Sequence, residues 1–296
     1  MKLTAVIYLL IAFVFASCAA GDPQLNSSGY IQSGPGKIYY ETSATDSTKP
    51  ALILLHAGML STDMWQHQLE DFTAHYRVIM IDMPGHGLTE NDTFRLAPAD
   101  FLRDVMDSLH ISKASVAGVS LGAACVTDFA IAHPERLNKI ILVSSGLNGW
   151  DTKFKLDTML LQYFDAFFGS LEKGDSATAA EVFTHFWFDG PYRTAAQVND
   201  SARKYIYNST LTNMKTHHVR GWPGFTEPPA INNLSSIKVP ALIIHGDKDL
   251  PFITETSKYL EANIPGAKRM TIPNAGHMLN LEDPKAFNKA VLDFLK

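Results

Sequence analysis

Five short stretches of this chain are apolar at every position instead of at alternate ones: Ala51–Leu55, Val78–Ile81, Val116–Val119, Ile140–Val143 and Ala241–Ile244. A strand with one wet face alternates, so unbroken runs of Val, Ile and Leu mark strands buried on both faces. The segments between them are long enough for crossover helices, and the pattern is that of a parallel sheet in an α/β fold. Tyr30–Gln32 and Lys37–Thr42, with Gly34-Pro35-Gly36 between them, read as an antiparallel hairpin at one edge. From Trp150 to about Asn233 the strand rhythm stops. Leu156, Leu160, Tyr163, Phe164, Phe167 and Phe168 fall at helical spacing, with Gly169 placed to end the helix. A helical cap over the sheet edge is expected there.

The third run breaks in an informative way. Ala114 to Gly122 reads Ala-Ser-Val-Ala-Gly-Val-Ser-Leu-Gly and passes into helix-compatible Ala123-Ala-Cys-Val-Thr127. That is the G-x-S-x-G nucleophile elbow in its context of strand, sharp turn and helix. The turn lifts the Ser120 hydroxyl clear of the sheet edge at a strained backbone position. Gly118 and Gly122 are expected where a Cβ would collide with the neighbouring strand or helix.

Taken together the motifs resemble the α/β-hydrolase family. Ala51–Leu55 followed by His56-Ala57-Gly58 is similar to its third strand and oxyanion loop. Arg77–Ile81 with Asp82-Met-Pro-Gly-His-Gly87 resembles the fourth strand and its tight turn, although Leu88-Thr89 stands where many members have Ser. His133-Pro-Glu-Arg136 and Lys139–Ser145 resemble the sixth strand and its lead-in. Ala241–Gly246 with Asp247-Lys-Asp249 looks like the seventh strand and acid loop, and Asn274-Ala-Gly-His277 with Glu282, Pro284 and Phe287 like the histidine loop and last helix. The resemblance covers nearly all of residues 30–296 outside the insertion. It implies a mostly parallel central sheet flanked by helices, with core residues 29–149 and 234–296 and a helical cap at 150–233.

A serine hydroxyl is a weak nucleophile until an imidazole, held in one tautomer by an acid, takes its proton. Ser, acid, His is the chain order of this fold. His277 is the candidate base because it follows a predicted strand, Arg269–Ile272, in a Gly-containing loop. The resemblance places the acid three residues after the strand-ending glycine, at Asp249, and leaves Asp247 an Asx-type bond to the loop backbone. It also implies oxyanion donors at the Leu121 amide and at Gly58 or Met59, the loop register differing from many relatives by one residue. His56 and His86 read as turn-stabilising and His217-His218 as a pair on the cap surface. No carboxylate or cysteine set stands at ligand spacing beside that pair, so neither metal nor cofactor is expected.

The N-terminus reads differently. Met1-Lys2 precedes an apolar run, Ala5–Ala16, that is short for a membrane span, and small residues follow. This is a secretory signal over residues 1–17. Phe15-Ala-Ser-Cys18 resembles the bacterial lipobox, with Phe where Leu is more usual, and implies lipidation at Cys18 and a polar tether over residues 18–28. The protein is then expected to be exported and membrane-anchored through lipid, an A-x-A-like site around Ala16–Ala20 offering plain secretion as the alternative. Of the two cysteines, Cys125 remains, with a buried, unreactive thiol as the expectation. Sequons at Asn26, Asn91, Asn199, Asn208 and Asn233 read as accidental beside a lipobox.

At 296 residues, 46% hydrophobic, the chain can bury a large core. Its net charge of −5, without a long basic run, excludes a nucleic-acid footprint. Ser120 argues against the relatives whose nucleophile is Asp, and Val119 and Leu121 do not match the bulkier elbow of proline iminopeptidases. The reading is a serine hydrolase of small-molecule carboxylic esters. Lactonase, thioesterase and C–C bond hydrolase use the same triad, and a hydrolase-fold protein that binds without turnover is the alternative of another class. Phe183, Phe186, Trp187, Phe188, Trp222 and Phe225 either line an acyl pocket or form the cap's own core.

Overall fold

The structure, a computed structural model, describes residue 25 and residues 27–44, 48–90, 95–155, 158–217, 223–225 and 227–296. The signal segment, Cys18, Asn26, Asn91, Leu156, His218 and Trp222 lie outside the described residues.

Eight strands form one sheet: β1 (Ser27–Ser33), β2 (Gly36–Thr42), β3 (Ala51–Leu55), β4 (Arg77–Ile81), β5 (Ala114–Val119), β6 (Leu137–Val143), β7 (Ala241–Gly246) and β8 (Lys268–Ile272). Their spatial order is β1-β2-β4-β3-β5-β6-β7-β8. β1 and β2 are antiparallel to each other and β2 is antiparallel to β4, whereas every pair from β4 through β8 is parallel. The hairpin begins earlier than the spacing suggested. Ser27 and Ser28, assigned to the tether, pair with Thr42 and Glu41, because β2 offers its full length as a template.

Ten α-helices connect the strands among the described residues: α1 (Leu69–Thr73), α2 (Pro98–Ser108), α3 (Leu121–Ala132), α4 (Trp150–Lys153), α5 (Thr158–Glu172), α6 (Ser176–Thr184), α7 (Asp200–Thr216), α8 (Pro251–Asn263), α9 (Leu279–Glu282) and α10 (Pro284–Leu295). The period of two along each inner strand divides the core into two layers. Ile53, Leu55, Ile79, Ile81 and Ile243 join Phe101 and Phe129 on one face. Leu52, Leu54, Val78, Met80 and Ile244 join Trp65, Phe72 and Phe287 on the other. Among the parallel strands only the edge strand β8 is largely exposed along its length, which is why its run Lys-Arg-Met-Thr-Ile is the least apolar of that set.

Between β6 and β7 the chain forms α4 to α7 and no strand among the described residues. Leu160, Tyr163, Phe167, Phe183 and Phe188 from this insert are buried in the same cluster as the second core face, so its helices have no separate core. One expectation fails here. Gly169 does not end α5, which runs to Glu172 because Leu171 still packs on the core; the left-handed residue is Gly174, φ +72. Of the residues at helical spacing, Phe168 is 42% exposed.

Candidate active site

In parallel strands all C-terminal ends lie at one sheet edge, and the loops after β3, β4, β5, β7 and β8 meet there. At the end of β5, Ser120 adopts φ 55 and ψ −111, a backbone conformation costing on the order of 1–3 kcal/mol for a residue with a Cβ. The surroundings enforce it. Ser120 N–H donates to the Val143 carbonyl at 2.9 Å, and its own carbonyl accepts from Ala124 and Gly146, each at 3.1 Å. A Cβ on Gly118 would overlap the backbone of Gly122 and Ala123; one on Gly122 would lie 2.5 Å from the Leu55 carbonyl oxygen and 2.6 Å from that of His56. The two glycines therefore let α3 start directly against β3 and β5.

His277 and Asp249 come together from the loops after β8 and β7. His277 Nδ1 and Asp249 Oδ1 are 2.9 Å apart, with side chains 2% and 0% exposed. The same Oδ1 accepts the Leu250 amide at 2.7 Å. An ionised carboxylate only accepts, so Nδ1 carries the imidazole proton and Nε2 presents its lone pair. Nε2 is buried and has no hydrogen-bond partner among the described residues, the Ser120 hydroxyl included. The acid loop is pinned to the histidine loop by Lys248 N–H on the Ala275 carbonyl at 2.9 Å. Asp247 does not make the Asx bond expected of it. Its carboxylate is exposed and faces the Lys248 ammonium at 3.5 Å, because the loop turns the side chain outward while the backbone bonds are taken by Ile272 and Ala275.

Leu121 opens α3, whose N-terminus has no side-chain cap, so its first-turn amides are oriented donors at the elbow. In the loop after β3, Met59 holds φ 63 and is buried, Gly58 is half-buried, and Leu60 N–H closes the turn on the Ala57 carbonyl at 3.2 Å. His56 braces this loop against the next. Its Nε2 accepts from Met83 N–H at 2.9 Å and its Nδ1 donates to the Ala57 carbonyl at 2.8 Å, while burial pushes its pKa down to about 4. His86, bonded through Nδ1 to the Pro84 carbonyl at 2.9 Å, is held neutral by burial and then by the neighbouring His56. Asp82 accepts the Thr62 and Leu88 amides, each at 2.7 Å, and burial raises its pKa to about 6. Gly87, φ +55, leaves room for that carboxylate.

The aromatic residues of the insert divide. Phe183 and Phe188 are buried, and Phe186 stacks on Tyr163 at 4.3 Å. Trp187 reaches the histidine, its ring 4.7 Å from that of His277. Phe225 packs on the opposite core face. His217, expected at the surface, is half-buried and bonded through Nε2 to the Gly87 carbonyl at 2.7 Å, tying the end of α7 to the core. Cys125 is fully buried and burial pushes its thiol pKa well up, so it is not a nucleophile. Among the described residues no group of three or more His, Cys, Asp or Glu is placed to hold a metal ion.

A cavity of about 310 Å³ opens between the loop after β3, at Ser61 and Asp63, and α7, at Tyr205, Ser209 and Asn213. Neither Ser120 nor His277 lines it, but Asn213 Nδ2 lies 3.6 Å from Met59 Sδ, one side chain away from the proposed oxyanion loop. Two part-buried ion pairs escaped the sequence reading, Arg203–Asp189 and Arg193–Glu282. Their partners stand 14 and 89 residues apart, with no motif spacing to reveal them.

The sequence profile of the alpha/beta hydrolase fold matches residues 50–284. Among curated relatives, carboxylesterase YbfK of Bacillus subtilis (strain 168) is 25% identical, covering 90% of this chain and 86% of its own. A 2-hydroxy-6-oxononadienedioate/2-hydroxy-6-oxononatrienedioate hydrolase of Burkholderia vietnamiensis is also 25% identical, over 88% of this chain and 91% of its own. The crystal structure of esterase RhEst1 from Rhodococcus sp. ECU1013 superposes with a TM-score of 0.75 at 21% identity, covering 91% of this chain and 98% of that one.

Proposed function

Because the chain belongs to the alpha/beta hydrolase fold family, we propose that it is a serine hydrolase that cleaves carboxylic esters through an acyl-enzyme. The observation that carries this reading is the buried Asp249–His277 pair, with Nε2 unpartnered, at the sheet edge where the strained elbow presents Ser120. His277 Nε2 takes the Ser120 proton as Oγ attacks the ester carbonyl. Asp249 holds the tautomer and stabilises the imidazolium. The Leu121 amide, with that of Gly58 or Met59, receives the oxyanion. The imidazolium then protonates the leaving alcohol, and water repeats the sequence to release the acid. The relatives named carboxylesterase support the ester reading, and the nonadienedioate hydrolase makes carbon–carbon cleavage the second reading on the same three residues. Lactones and thioesters share the acyl chemistry.

The test is a panel of p-nitrophenyl esters, lactones, a thioester and a vinylogous diketone, with a fluorophosphonate probe alongside. The probe is expected to label the wild type and not Ser120→Ala. Persistent labelling of Ser120→Ala refutes the nucleophile, and a folded wild type that is neither labelled nor active is a binding protein.

The insert between β6 and β7 is proposed to act as a cap, with Trp187 at its inner wall. For the N-terminus we propose export and lipidation at Cys18, supported by the charged start, the apolar run and Phe15-Ala-Ser-Cys18. No described helix is long and apolar enough to cross a membrane. Cys18→Ser is expected to release the protein from the membrane fraction or block processing; an unmodified mature terminus at Ala19 or beyond by intact mass defeats the proposal.

A further inference from the structure

The loop that carries His277 is gripped from the insert by a single guanidinium. Arg193 Nη1 and Nη2 both bond the Glu282 carboxylate, the latter at 3.3 Å to Oε1. Arg193 Nη2 also donates to the Phe188 carbonyl at 2.7 Å, and Nε donates to that of Asp189 at 3.0 Å. The same Glu282 Oε1 accepts the Gly276 amide at 2.9 Å, one residue before His277. The ion pair is 11% and 8% exposed. A Cβ on Gly276 would fall on Arg193 Nη2 and 3.0 Å from Glu282 Oε1, so a larger residue there has to displace the guanidinium lying against it. The Phe188 and Asp189 carbonyls belong to the π-type turn His185–Asp189 that carries Trp187, whose ring rests 4.7 Å from His277.

From this geometry we propose that Arg193 is a positioning residue: through Glu282 and the Gly276 amide it fixes the His277 ring, and through the 188 and 189 carbonyls it seats Trp187 against that ring as one rigid unit. The proposal rests on the serine-hydrolase reading for its kinetic consequence, but not for its structural one. The clamp needs a planar donor that serves a carboxylate and two carbonyls at once. A lysine keeps the charge and cannot span all three.

Arg193→Lys tests it. The expected result is a folded protein whose kcat falls roughly 10- to 100-fold with KM changed less than about threefold, since a displacement on the order of 1 Å at the base costs that much. Gly276→Ala, which pushes the guanidinium out from the other side, should give the same split, and the two changes together should cost no more than either alone. Hydrogen exchange at the Gly276 amide should accelerate at least tenfold in each variant, and the low-field proton resonance of His277 Nδ1–H should broaden or shift. These last readouts need no turnover, so they report the clamp even if wild-type inactivity has already sunk the esterase reading. Wild-type kcat in both folded variants overturns the proposal, as does a fall in melting temperature with unchanged kcat and unchanged exchange. If Arg193→Lys does not fold, Gly276→Ala decides by the same measurements.

Discussion

Replacing Asp249 by Asn separates charge from shape in the proposed triad. Asp249 is fully buried, and its Oδ1 accepts both His277 Nδ1 at 2.9 Å and Leu250 N–H at 2.7 Å. An asparagine oxygen in the same place keeps both bonds, so the loop should fold as before. What disappears is the negative charge facing the imidazolium formed in the transition state. Two unit charges about 4 Å apart at an effective dielectric of about 20 attract by about 4 kcal/mol, a factor of roughly 10³ in rate. Where the amide turns its NH₂ toward Nδ1 instead, the wrong tautomer is enforced and the loss approaches ~10⁴. Asp247 supplies the control two residues away. Exposed and only 3.5 Å from Lys248, it contributes ~0–1 kcal/mol, and Asp247→Asn should leave kcat and melting temperature almost unchanged. The assay is p-nitrophenyl ester hydrolysis normalised to titrated active sites, with thermal unfolding of all three proteins. An Asp249→Asn enzyme within tenfold of wild type, or a larger loss in Asp247→Asn, would refute the assignment.

Trp187→Ala should shift the acyl chain-length profile of kcat/KM by roughly 1–3 kcal/mol for substrates that fill or abandon the vacated space; an unaltered profile contradicts the cap-wall role. Gly122→Ala should destabilise the fold by about 1–3 kcal/mol, measured by denaturant midpoint, because its Cβ meets the Leu55 and His56 carbonyl oxygens and backbone cannot yield as a flexible side chain would. His56, with its pKa lowered from 6.5 to about 4, stays neutral in the folded state while the unfolded chain takes up a proton. Its contribution is therefore full above pH 6.5 and is lost progressively as pH falls toward 4, about 3 kcal/mol in all. Asp82, raised to about 6, has the opposite sign. The folded state gains its proton first, so the ionised carboxylate weakens the fold as pH rises toward 6, offsetting part of the His56 effect. Ring-proton NMR isolates the histidine term, and a His56 midpoint near 6.5 would refute the buried-neutral assignment.

The parallel sheet, the edge hairpin and the elbow were legible because each depends on local rules. A strand buried on both faces must be apolar throughout, as β3, β4 and β7 are, and a turn whose Cβ would strike β3 or the start of α3 must be glycine, as at Gly118 and Gly122. The elbow and the histidine loop likewise pointed to Ser120 and His277, and the family resemblance, not a local rule, chose Asp249 over Asp247. Local rules could not tell Gly169 from Gly174 as the stop of α5, since only the packing of Leu171 distinguishes them, nor put Phe168 in solvent while Phe167 is buried. Nor could they foresee which insert aromatic meets the histidine, or that Arg193 reaches Glu282 across 89 residues of chain. Backbone sterics and hydrophobic period act between residues a few positions apart and are written into short stretches of sequence. The seating of Trp187, the outward turn of Asp247 and the clamp at Gly276 arise where separate loops are packed against one another, and they exist only once the sheet has brought those loops to the same edge.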